Sequence, residues 1–298
     1  MSFTSSQGAR RTAAVFSILV SAVLAAALFT AQPASAATVK QVNAAWAPAA
    51  TATIHPGVQA YTEGAQCTAN FVFTDGAGNT YVGYAAHCAG TGEATDTNGC
   101  DAASLPLGTK VDFAEGGSLV SEGTRVGGGT LAYSSWLTMQ ANGESDESTC
   151  AYNDLALVKV DAADVSKVNP SIPFWGGPVG INTAGTAAGD TVYSFGNSSL
   201  RGGVTELSPK QGLSLGTEGE GWSHPVYTVT PGVPGDSGSA FLDAEGNALG
   251  TLSTLALAPL AGSNGVGDLN SELNYAKANG GIGGLALVPG TEPFAPIL

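Results

Sequence analysis

Glycine-rich breaks cut most of this chain into runs too short for helices, and that pattern constrains the fold more than any other feature. From Cys67 onward, apolar and polar residues alternate for about four to eight positions and then stop at a turn. Residues 69–74 read as a strand, Asp75-Gly76-Ala77-Gly78-Asn79 as a hairpin turn, and 80–85 as the returning strand. Residues 131–139 and 154–160 continue the pattern. Between 163 and 178 it fails, because Asn169-Pro170, Ile172-Pro173 and Gly176-Gly177-Pro178 disrupt any regular element. Strand-like runs resume over 191–195, 203–207, 226–230, 239–242 and 248–255. One segment, 269–278, has helical spacing, with Leu269, Leu273 and Ala276 on one face and Gly280-Gly281 as its stop. Many short strands in two halves predict an all-β chain of two packed antiparallel barrels followed by a short C-terminal helix. Residues 61–168 would form the first barrel, 169–282 the second with the helix, and 283–298 a tail.

The N-terminus has a different character. Arg10 and Arg11 precede an apolar run over 12–30, and Ala34-Ser35-Ala36 follows as a small-residue cleavage site. Residues 1–36 therefore read as a secretory signal peptide cut after Ala36, with a membrane anchor as the alternative. The arginine pair alone does not make a twin-arginine signal. Residues 37–60, rich in Ala, Thr and Pro, read as a leader or short pro-segment. The chain carries 10 Lys+Arg against 24 Asp+Glu, and losing the signal removes two arginines and no acid. So acidic a chain is unsuited to nucleic acid or anionic membranes, both of which need basic patches. A secreted, extracellular monomer is expected.

Cys67, Cys88, Cys100 and Cys150 all lie in the first half. An even count in a secreted chain points to two disulfides, with three connectivities open. The alternative, a zinc site, lacks any Cys-x-x-Cys or His-x-x-x-His pair, so no metal and no cofactor is expected.

The chemistry concentrates on Gly235-Asp236-Ser237-Gly238-Ser239. Flanking glycines permit a tight turn that exposes a serine oxygen while the amides of Gly235 and Ser237 point into one small space, the geometry of an oxyanion hole. Of the three histidines, His87 stands at the end of a strand against Cys88, with small residues before it. His55, beside Pro56, and His224, in a polar turn before Pro225, look poorly anchored. Asp154 heads an alternating apolar strand, where a carboxylate drawn inward needs a partner.

Ala85-Ala86-His87-Cys88, Asp154-Leu155-Ala156-Leu157-Val158-Lys159 and Gly235-Asp236-Ser237-Gly238-Ser239 together resemble the histidine, aspartate and nucleophile motifs of the chymotrypsin-like (trypsin superfamily) serine proteases, in particular the secreted actinobacterial type. The order His, Asp, Ser is that family's order and differs from subtilisins and α/β-hydrolases. The resemblance implies two six-stranded barrels. Ser237 would be the nucleophile, His87 the general base, Asp154 its orienting acid, and the amides of Gly235 and Ser237 the oxyanion hole. It also implies Cys67–Cys88 and Cys100–Cys150 disulfides and a polypeptide substrate. Pro231, Ser253, Thr254 and Leu255 would line the substrate pocket.

The chain departs from the family at several positions. No Ile-Val-Gly-Gly activation terminus follows a basic residue, so Asp236 must pair elsewhere, with Arg125, Arg201 or a backbone amide. Pro231 stands where trypsin-like members carry an acid, which removes the basis for cleavage after Arg or Lys. Leu255 would narrow the pocket toward small or medium apolar side chains. His224 as a reader of acidic side chains is the other option for specificity. A non-catalytic binding module on the same fold and an esterase are the alternative functions.

Overall fold

The computed structural model describes residues 45–92, 97–256 and 262–296. The expected signal peptide and residues 37–44 of the expected leader lie outside the described residues.

The first half forms β1 (Gln59–Thr62), β2 (Ala65–Thr68), β3 (Val72–Thr74), β4 (Thr80–Ala85), β5 (Lys110–Glu115), β6 (Thr124–Ser134) and β7 (Leu155–Val160). They pair antiparallel in the order β3-β4-β7-β6-β5-β1-β2. Strands β2 and β3 are the two ends of one bent segment. At the bend the Ala69 N–H donates to Val58 O beside β1 (2.9 Å), and the Asn70 N–H donates to Gly83 O in β4 (2.8 Å). One segment thus bonds to both edges and closes the sheet into a six-stranded barrel.

The second half forms β8 (Ala188–Phe195), β9 (Pro209–Leu215), β10 (Ser223–Val229), β11 (Ala240–Leu242), β12 (Ala248–Ala256) and β13 (Ser263–Asp268), closed in the order β10-β13-β12-β11-β8-β9. Closure leaves neither barrel with a long free edge. The expected all-β architecture of two six-stranded barrels is the one observed.

Two short helices, α1 (Ser135–Asn142) and α2 (Glu147–Tyr152), lie between β6 and β7, and α3 (Leu269–Asn279) follows β13. Asp268 caps α3 by accepting the Ser271 N–H at 2.7 Å. Its Leu269, Leu273 and Ala276 are buried with Phe71, Tyr133, Leu155 and Leu157 of the first barrel and Leu242 of the second. This shared core ties the barrels together. Full burial of each leucine is worth about 1.5–3 kcal/mol. A final strand, β14 (Ala286–Leu287), pairs with β3, so the tail returns to the first barrel.

Three segments differ from the sequence pattern. Strand β6 stops at Ser134, and residues 135–142 are helical instead of continuing the run expected over 131–139. The Ser134 hydroxyl accepts the Leu137 N–H, and Trp136 and Met139 bury one helix face at i, i+3 spacing. Residues 203–207 are not a strand: Gly202 and Gly203 both take positive φ, and Thr205–Leu207 is a single 3-10 turn with Val204 and Leu207 exposed. Strand pairing begins at Gln59, inside the expected leader, and Ile54 and Val58 are already core residues.

Candidate active site

Strand β4 delivers His87 through a tight turn, and the entry to β7 delivers Asp154 beside it. The Ala86 N–H donates to the Asp154 carbonyl at 2.7 Å. The Asp154 carboxylate then accepts the His87 N–H on Oδ1 (2.8 Å) and the His87 ring Nδ1 on Oδ2 (2.6 Å). Ser253 Oγ donates to the same Oδ2 at 2.6 Å. Strand β12 shifts register between Leu252 and Thr254, and this irregularity brings Ser253 to the carboxylate. Three donors therefore satisfy a carboxylate that is almost fully buried. An acceptor on Nδ1 puts the proton there, leaving Nε2 free to accept one. Burial pulls the imidazole down, but the Asp154 charge and hydrogen bond outweigh it and hold His87 above its ordinary value. A Cys67–Cys88 disulfide joins β2 to the histidine turn, and Cys100–Cys150 ties the loop before β5 to α2.

The Ser237 turn is pinned from both barrels. Gly235 O accepts from Thr68 Oγ1 (2.8 Å) and Gln66 Nε2 (3.0 Å), and Ser237 O accepts the Thr68 N–H (2.8 Å). Gly235 has φ +93°, and a Cβ there would come within 2.2 Å of Gln66 Oε1. Gly238 has φ +86°, with Thr68 O 2.6 Å from its would-be Cβ. Both positions require glycine on conformation and on space. Asp236, 0% exposed, is held by the Arg201 guanidinium, Lys210 Nζ (3.1 Å), and the N–H groups of Ser198 (3.0 Å) and Val233 (3.1 Å). Arg201, of the two arginines the sequence offered, is the partner. Arg125 instead pairs with Asp112 on the exposed face of the first barrel (2.6 Å). Burial lowers the Lys210 ammonium, Asp236 opposes this, and Arg201 adds to it. With carbonyl and carboxylate engaged, the amides of Gly235 and Ser237 donate to no protein acceptor among the described residues.

A cleft of about 610 Å³ brings these groups together. His87, Asp154, Cys67 and Trp136 line it from the first half, and Gly235, Ser237, Ser253, Thr254, Leu255 and Asn264 from the second. No hydrogen bond joins His87 Nε2 to Ser237 Oγ among the described residues; both residues line the same cleft. The His87 side chain is 27% exposed. Two closed antiparallel barrels with this cleft between them decide the architecture. It is chymotrypsin-like.

No family model and no curated protein matches the chain. Among solved structures it is similar to Thermobifida fusca Protease A, at 18% identity over 80% of this chain and 99% of that one, with a TM-score of 0.48. It is similar also to a Nocardiopsis protease, at 19% identity over 78% and 98%, TM-score 0.44. A Cellulomonas bogoriensis chymotrypsin aligns at 18% identity over 79% and 98%, TM-score 0.44.

Several residues stand where the sequence did not put them. Pro231 does not line the cleft; its carbonyl turns to the buried Lys210 amine (3.3 Å). The wall at that depth is Gly232 and Asn264. The Asn264 amide is fully engaged, accepting the Gly232 N–H (2.8 Å) and donating to Gly232 O and Thr254 O. Leu255 is 48% exposed and stands at the cleft mouth. His224 is not in a loosely held turn and does not reach the cleft. It is 0% exposed in β10, with Nε2 3.0 Å from Asp268 Oδ2 and Nδ1 near Thr186 and Thr217 Oγ1 (3.2 and 3.1 Å). Pro225 suggested a break, but it stands just before the β9 pairing begins at Val226, where a missing N–H costs the ladder least.

His55 lines a second cavity, of about 760 Å³, with Phe174 and Trp175. That cavity is larger, and its lining does not include His87, Asp154 or Ser237. Cys67, Cys88 and His87 offer ligand atoms within 4.8 Å of one another, but the disulfide leaves no thiolate for a metal.

Gln66, Thr68, Lys210, Asn264 and Glu272 were missed by sequence reasoning. Gln66 and Thr68 had a usable signal, since both flank Cys67 in strand alternation and so share the opposite face.

Proposed function

We propose that this chain is a secreted serine endopeptidase that hydrolyses peptide bonds through an acyl-enzyme, with Ser237, His87 and Asp154 as its triad. The observation that carries the reading is the coincidence, in one cleft, of His87 and Ser237, where the histidine Nε2, the serine's own amide and the Gly235 amide have no hydrogen-bond partner among the described residues. Ser237 Oγ attacks the scissile carbonyl carbon while its proton passes to His87 Nε2. The carbonyl electrons move onto oxygen, where the Gly235 and Ser237 amides stabilise the charge. Collapse breaks the C–N bond, and the leaving amine takes the proton from His87. Water then attacks the acyl-serine, again giving its proton to His87, and the acid product leaves as Ser237 is regenerated.

Asp154 keeps the tautomer and compensates the imidazolium. Among the described residues the one acidic side chain lining the cleft is Asp154, and its oxygens are fully engaged, so none of them is free to pair a basic substrate residue. Gly232, Leu252, Val233 and Leu255 suit a small or medium apolar side chain before the scissile bond. The Arg201–Lys210–Asp236 cluster takes the place of an activating N-terminus.

A fluorophosphonate probe tests the reading: the mature protein should label, and Ser237→Ala should not. Turnover of unfolded casein should fall by roughly 10⁴–10⁶-fold in the same variant. A wild-type protein that neither labels nor cleaves would be a binding module, and one that hydrolyses only esters would be an esterase. N-terminal sequencing of the exported form checks cleavage after Ala36.

A further inference from the structure

Beneath the cleft lies a buried carboxyl that the mechanism above does not use. Glu272, one turn into α3, is 0% exposed. Its Oε1 accepts the Asp154 N–H at 3.1 Å, and its Oε2 accepts from Thr251 Oγ1 at 2.9 Å. Thr251 Oγ1 in turn accepts from Asn70 Nδ2 at 3.2 Å. A continuous polar chain therefore runs from the bend of the first barrel, through β12, to α3 and back to the residue that holds His87. Gly267 on β13 leaves the room for it, since a Cβ there would fall 2.5 Å from Glu272 Oε1.

We propose that Glu272 is a positioning residue, which fixes the main chain of Asp154 from the C-terminal helix and thereby sets the carboxylate that orients His87. Its catalytic consequence rests on the protease reading; the contact itself does not.

The surroundings decide which form of Glu272 does this. The charged groups facing it are Asp154 at the β7 entry and Asp268 at the start of α3, with the Tyr133 phenol from β6. Strands β12 and β13 present Thr251 and Gly267, neither of which titrates. With no cation facing it among the described residues, burial first and the Asp154 charge second push the Glu272 carboxyl well above the usual range. Two adjacent buried carboxylates do not both ionise readily. Asp154 has three donors on its oxygens, whereas Glu272 meets one amide and one hydroxyl, and its burial beside Asp154 favours its neutral form.

The sign of the pH effect follows from linkage. A group with a raised folded pKa holds its proton in the native state after the unfolded chain has released it. Stability then falls as pH rises above the ordinary glutamate value of 4.5 and levels off beyond the folded value.

The test compares Glu272→Gln and Glu272→Leu in the mature protein. Glu272→Leu strands the Asp154 N–H and should lower kcat by about 10–100-fold with KM within about threefold, whereas Glu272→Gln, a neutral acceptor of the same shape, should restore kcat to within about threefold at neutral pH. In an inert Ser237→Ala background, the melting temperature of the Glu272→Gln protein should gain on its parent as pH rises from about 5 to about 8. The His87 Nδ1 proton should stay visible by NMR in Glu272→Gln and broaden in Glu272→Leu. A kcat for Glu272→Leu equal to wild type, or a melting gap that is flat with pH, overturns the inference. If Glu272→Leu does not fold, the melting gap and NMR signal of Glu272→Gln decide alone. If the wild type never labels with fluorophosphonate, the protease reading falls while the melting gap and the proton signal still judge Glu272.

Discussion

Among the described residues two histidine–aspartate pairs occur, His87–Asp154 at 2.6 Å and His224–Asp268 at 3.0 Å, and the contrast between them separates a candidate site from a brace. Both pairs sit where a strand meets another element, and both have hydroxyls nearby. His224 is sealed, its second nitrogen turned to Thr186 and Thr217, and its aspartate also caps α3. His87 is 27% exposed, with its second nitrogen toward an open cleft and a serine across it. The pair chemistry is thus shared, and what distinguishes His87 is a second nitrogen with no hydrogen-bond partner among the described residues and, in the same cleft, two amides that donate to none of them.

Substitutions at the two aspartates should pull the pairs furthest apart. Asp154→Asn should reduce turnover by about 10⁴-fold while leaving the fold intact. The residual activity should reach half-maximum at lower pH than in wild type, because only burial then acts on His87; kcat/KM against pH reads this directly. His224→Leu should do the reverse. It strands a buried Asp268 oxygen and should cost roughly 1–3 kcal/mol in denaturant unfolding, with activity per folded molecule unchanged. A large activity loss without unfolding would make His224 more than a brace.

The pH dependence of stability gives a finer contrast. His87 has a raised folded value, so its pairing energy is fully present below the ordinary histidine value near 6.5 and fades as pH rises through the folded one. Wild type should therefore lose stability relative to Asp154→Asn across that window, in the range where activity increases. The smallest effect belongs to the cleft mouth: Leu255→Gly should widen side-chain preference by about tenfold in kcat/KM for larger apolar residues, measured on a peptide library.

What could be read from the sequence was what is local in it. The His87 and Ser237 motifs pack their essential geometry into four and five residues, and β4 and α3 declare themselves through alternation and helical spacing. The supporting shell is assembled from distance. Gln66 and Thr68 meet Gly235 across 169 and 167 positions of sequence, and Lys210 and Glu272 carry no local mark of what they face. His224 was misread because a following proline is a strong local signal, while the start of strand pairing that accommodates it is not written nearby. The strand expected over 131–139 failed for a similar reason, since alternating apolar residues fit both a strand and a short capped helix until Ser134 is recognised as the cap.

Strand β14 bears on when activity can appear. A partial chain has no partner for the free edge of β3 and no helix beneath Asp154 until residues beyond 268 have emerged. Fold completion here waits on contacts very distant in sequence, which slows assembly. Under the proposed reading, a copy not yet extended past residue 287 would be unarmed, so these late contacts would act as a delay on activity.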